Sequence, residues 1–177
     1  MAVTHAFVDE SARGSDYYVC AAVVLDRDVD AVRKLARSFL LRGQRTVHFV
    51  QEGHDRRSRF LAEITRSGLI RACVYSGKGD ANAVRDAAMR AMAADLTAGD
   101  TRRLVIESRQ GRDHRDRHAL AEVLRLLGAD MNYEHCAAPQ DPALWIADAI
   151  AWSYSAGGKW RTRLRPILDL ERFVGQL

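Results

Sequence analysis

The chain has 177 residues, room for one domain spanning 1–177 and little for a second. Its 47% hydrophobic and 28% charged residues are ordinary for a globular protein. A chain of this length buries roughly 70% of its unfolded surface, so it needs no disulfide or structural metal. The net charge of +4 and pI of about 9.2 permit an anionic partner without requiring one.

Only Lys34, Lys78 and Lys159 are lysines, a skew toward arginine that a GC-rich coding sequence also produces. The opening MAVTHAFVDES lacks a basic stretch followed by an apolar core, so no secretory leader is expected. Apolar runs reach only about ten residues, against roughly 20 for a membrane-spanning helix. Cys20, Cys73 and Cys136 are odd in number and far apart in apolar stretches. They read as reduced thiols, which favours the cytoplasm.

In chain order, His5 to Asp9 reads as a strand, Arg13 to Asp16 as a turn, and Tyr17 to Leu25 as the second arm of a hairpin. Asp28 is placed to cap a helix with the stripe Val29, Val32, Ala36, Phe39 and Leu40, closed by Gly43. Val47 to Val50 is extended, and a second helix covers Asp55 to Arg66. The second half alternates: strand Leu69 to Tyr75, helix capped by Asp80, strand Arg103 to Glu107, helix Asp113 to Leu127, strand Met131 to Cys136. Asp141-Pro142 then opens a helix that runs to about Ser155. The basic tail from Lys159 to Leu177 reads as a final turn or helix. This order predicts an α/β domain with a partly parallel sheet.

Three acidic positions stand out. Asp9 and Glu10 end the first strand on opposite faces, so one of them must point inward. Glu107 ends the run Leu104-Val105-Ile106, and ligand sites of open α/β sheets lie at such carboxyl ends; a salt bridge to Arg109 or Arg112 is the structural alternative. Asp148 interrupts ALWIADAIAW, a helix apolar all round, where an ionised carboxylate is costly unless paired or metal-bound. A buried pair with an arginine is the competing account of Asp148.

The opening FVDES, the strand end IES and the helix LWIADAIAW resemble, in order, the bacterial domain of unknown function 3800 family (DUF3800). Ala12 stands where that family's usual Asp-Glu-Ser-Gly opening has glycine. The resemblance implies a ribonuclease H-like mixed sheet flanked by helices, with Asp9, Glu107 and Asp148 converging on one site. It implies Mg²⁺ or Mn²⁺ held there, with hydrolysis of phosphodiester bonds in nucleic acid. Glu10 is the candidate fourth ligand, ahead of Asp86 and Asp95. His48, in the extended segment VHFV where family members often carry a histidine, is the candidate proton relay. The rival reading keeps the fold but not the catalysis, as a module that binds nucleic acid or a partner protein. His114 and His118, four apart on one helix, have zinc-like spacing in polar surroundings without a third ligand nearby. Lys159-Trp160-Arg161 mixes an aromatic with cations, as strand-binding surfaces do, although a packed tail with exposed arginines accounts for it too.

Overall fold

The computed structural model describes residues 2–177. Strands β1 (Thr4–Arg13) and β2 (Asp16–Leu25) form an antiparallel hairpin in which Arg13 pairs with Asp16. The two-residue turn between them needs a left-handed position, which Gly14 supplies at φ 57°. Strand β3 (Ile70–Lys78) pairs antiparallel with β2. Strands β4 (Thr101–Glu107) and β5 (Asn132–Cys136) add in parallel on the far side of β1, and β6 (Leu168–Gln176) adds in parallel to β3. The sheet order is β5-β4-β1-β2-β3-β6.

Helices cover both faces. Helices α1 (Val29–Arg37), α2 (His54–Arg66), α5 (Ala143–Ala156) and α6 (Gly158–Leu164) pack on the face that carries Phe7, Cys20, Ala22 and Val105. Helices α3 (Ala81–Ala98) and α4 (Asp113–Leu127) cover the face of Ala6, Val8, Val19, Leu104 and Ile106. Two buried cores thus sandwich one mixed sheet, as the alternation of elements predicted. No helix among the described residues is long and apolar enough to cross a membrane.

Local signals placed most boundaries. The Asp80 side chain accepts from the Asn82 and Ala83 amides, and Asp141 accepts from the Ala143 amide at 3.0 Å. Three expectations change. Helix α1 stops at Arg37, and Asp28 makes no side-chain cap there, because a 3₁₀ turn (Asp26–Asp28) leads into the helix. Val47 to Val50 is extended only up to His48 and then tightens into a 3₁₀ turn, Phe49–Gln51. The tail forms α6 and then an edge strand, β6, rather than ending in a helix. One flank of β6 is open, so its residues are mostly exposed and its alternation is weak.

Candidate active site

The parallel register of β1 and β4 pairs Val8 with Ile106, which makes Asp9 and Glu107, the next residues on each strand, neighbours at the carboxyl ends. Alternation aims both at the face covered by α5, with Phe7 and Val105. Helix α5 lies across this face, and 11 of its 14 residues are buried. The Ser11 hydroxyl meets the Ser155 hydroxyl at 2.8 Å, fixing α5 against β1. The half-buried Asp148 is the only charged residue of that helix. Its Oδ2 accepts the Phe49 amide N–H at 2.8 Å.

The three carboxylates sense one another. Burial pushes Asp9 up from the ordinary carboxylate range, although Arg109 pulls it back. Burial, then the charge of Asp9 and a hydrogen bond to it, pushes Glu107 up to about 8. Burial, followed by repulsion from Asp9, raises Asp148 to about 7. Asp9 has a cationic partner, Arg109 Nη2 at 3.0 Å. Among the described residues, neither Glu107 nor Asp148 forms an ion pair; Asp148 is held by a backbone amide instead of the buried arginine that was its alternative. Arg109, the suggested partner of Glu107, turns to Asp9 and Glu10.

Glu10 is not brought to this cluster. Its strand neighbour Val19 belongs to the opposite face, and its side chain enters a buried network there. Arg85 pairs with Glu10, while Arg109 Nε lies 3.1 Å and Arg112 Nη1 3.5 Å from Glu10 Oε1. Arg85 also grips Asp116 through two hydrogen bonds of 2.9 and 2.7 Å, and His135 Nε2 approaches Asp116 Oδ2 at 3.0 Å. Asp113 accepts from the Ser108 hydroxyl and the Arg109 amide at the entry to α4.

Ligand-type atoms of Asp113, Asp116 and His135 lie within 4.8 Å of one another, a spacing that a metal ion would accept. A buried guanidinium already occupies Asp116, however. Burial opposes ionisation of Asp116, yet bonds from His135 and Arg85 hold it below the usual carboxylate range. A dication would have to displace Arg85. Asp9, Glu107 and Asp148 are not brought within that spacing of one another, yet their donor set suits a hard cation better. It offers three oxygen-donor carboxylates, two of them without a cationic partner.

His48 is half-buried and sits one residue before Phe49, whose amide holds Asp148. His114 and His118 are exposed on α4 and join no such ligand group. Asp86 is paired with Arg115 at 2.7 Å and Asp95 with Arg172 at 3.1 Å. The sequence reading missed the Arg85–Asp116–His135 network. Its members come from α3, α4 and β5, and only an arginine in the apolar stripe of α3 hinted at it.

The chain matches no protein-family model and no curated protein. Among solved structures it is similar to the structure of the PCNA:RNase HII complex from Archaeoglobus fulgidus, with a TM-score of 0.60 at 16% sequence identity. The match covers 93% of this chain and 77% of that one. The fold is ribonuclease H-like.

Proposed function

We propose that this protein is a divalent-metal-dependent nuclease, a hydrolase that cleaves phosphodiester bonds of nucleic acid, and a member of the DUF3800 family. The observation that carries the reading is the cluster of Asp9, Glu107 and Asp148, in which burial and mutual repulsion raise Glu107 to about 8 and Asp148 to about 7. Buried acids that raise one another's pKa without matching cations cost stability and are a recurrent mark of functional sites. The similarity to RNase HII supports it at the level of fold. The buried thiols Cys20 and Cys73 agree with a cytoplasmic setting.

Asp9, Glu107 and Asp148 would hold Mg²⁺ or Mn²⁺, and such ions supply Lewis acidity toward water and phosphoryl oxygens. The chain's own groups do the rest. The Phe49 amide fixes the Oδ2 of Asp148, and β1 and β4 fix Asp9 and Glu107 side by side. His48, one residue before the Phe49 amide that holds Asp148, would serve as the proton relay. Arg109, with 42% of its side chain exposed, can turn its guanidinium to a phosphate.

The Arg109–Asp9 ion pair favours a second reading, a non-catalytic module that binds nucleic acid or a partner protein, since it neutralises one of the three acids. Incubation of labelled RNA and DNA with Mn²⁺ separates the two. Cleavage that chelator and Asp148→Asn both abolish supports the nuclease. Binding without cleavage by pure protein supports the module.

A further inference from the structure

Helices α2 and α6 carry more positive charge than the whole chain. Between them they hold seven basic and two acidic side chains, a net +5 against +4 for the full sequence, so the remainder is slightly acidic. The two helices are joined by a hydrogen bond from Arg163 Nη1 to the Ser58 hydroxyl at 2.8 Å. A groove of about 450 Å³ runs beside that bond, lined by Arg59, Arg66 and Arg163, with Glu63 as its acidic member.

Next to the groove is an aromatic group. The rings of Trp152 and Trp160 meet edge-on at 5.3 Å, with Phe49 5.3 Å from Trp152 and His54 5.3 Å from Trp160. Guanidinium groups lie over both indoles, Arg57 at 4.5 Å from Trp152 and Arg163 at 5.2 Å from Trp160. This group leads directly to the carboxylates. Trp152 is one turn beyond Asp148 on α5, and Phe49 is the residue whose amide holds Asp148.

We propose that this surface of α2, α6 and the end of α5 binds an unpaired nucleic-acid strand and delivers it to the Asp148 side of the site. The proposal rests on the nuclease reading for what the strand meets there. The arginines supply phosphate contacts, and the stacked indole–guanidinium pairs offer flat, cationic faces to bases. A duplex hides its base faces and would gain only the phosphate contacts. The surface therefore selects single strands over duplexes without reading sequence.

Fluorescence anisotropy with labelled strands of about 20 nucleotides, RNA and DNA, each alone and as a duplex, tests this in chelator so that nothing is cleaved. Either single strand should bind at least roughly tenfold tighter than the matching duplex. Arg59→Ala with Arg163→Ala, both exposed positions, should weaken strand binding and flatten the log–log salt dependence by about 0.7 per arginine. Trp160→Ala should weaken it roughly tenfold, with partial rescue by Trp160→Phe. Equal binding of duplex and strand, or unchanged binding by the double arginine variant, overturns the proposal. Strand binding without cleavage in Mn²⁺ sinks the nuclease and leaves the platform standing. Cleavage of strands that the arginine and tryptophan variants perform as well as wild type does the reverse.

Discussion

Arg109 reaches Asp9 on one sheet face and Glu10 on the other: Nη2 lies 3.0 Å from Asp9 Oδ1 and Nε 3.1 Å from Glu10 Oε1. It leaves the end of β4 just above the strand edge, so one side chain ties the carboxylate cluster to the buried network beneath α3 and α4. A metal at Asp9 and the guanidinium compete for the same oxygens. Arg109→Ala should therefore bind Mn²⁺ more tightly than wild type in calorimetry, while melting at a lower temperature in chelator, because Asp9 loses its cation. Weaker Mn²⁺ binding by this variant would mean that Arg109 does not compete at the metal position.

Asp148→Asn keeps the acceptor for the Phe49 amide and removes a charge from a crowded acidic site. In chelator the variant should melt at the same or a higher temperature than wild type, and it should lose most of the stabilisation that Mn²⁺ gives. A large drop in melting temperature in chelator would rule out Asp148 as a crowded metal ligand.

The raised acids set the sign of the pH response. With Glu107 at about 8 and Asp148 at about 7, the folded chain keeps protons that the unfolded chain has released. Metal-free stability should therefore fall as pH climbs from about 5 to 8, and saturating Mn²⁺ should flatten that fall. Mn²⁺ binding near neutral pH should also release protons, measurable by calorimetry in buffers of different ionisation enthalpy. No proton release at pH 6.5 to 7, at or just below the Asp148 value of about 7, would contradict raised acids at the metal position.

Arg85 is the keystone of the opposite face, with 4% of its side chain exposed and Asp116 wholly buried. Arg85→Met removes the buried cation shared by Glu10 and Asp116, leaving Glu10 with Arg109 and Arg112 and Asp116 with His135 alone, and urea unfolding should show a loss of about 3–5 kcal/mol. Near-native stability would instead point to Asp113, Asp116 and His135 as a site able to recruit a cation of its own.

His48→Ala should lower turnover by roughly 100-fold under the nuclease reading, and leave Mn²⁺ affinity close to wild type. Full activity would remove His48 from the mechanism. A matching loss of Mn²⁺ affinity would assign it to the support of Phe49 and Asp148 instead.

Much of this arrangement was legible because its causes are local. A carboxylate alone in an apolar helix, as at Asp148, or at the end of an apolar strand, as at Glu107, is costly enough to be noticed from sequence. What the sequence could not reveal depends on pairing. Whether Asp9 or Glu10 faces α5 follows from which strand partners close above each face, and that is set by β2 and β4 rather than by FVDES. Arg85 and His135 were illegible for the same reason, since each has meaning only beside Asp116. The edge strand β6 went unread because half of it faces solvent, where no apolar alternation is enforced.

The alternate aim of Asp9 and Glu10 also bears on how the hairpin finds its register. Slipping β1 by one residue would carry Glu10 into the acidic cluster and withdraw its carboxylate from Arg85. Val8 and Phe7 would exchange cores at the same moment. A misregistered sheet thus fails twice, through mismatched apolar volume and through an acid, Asp9, sent into the apolar core while the Arg85 guanidinium loses Glu10. The two adjacent acids act as a proofreading mark, so that the residues that crowd the site also reject wrong pairings of the strand that carries them.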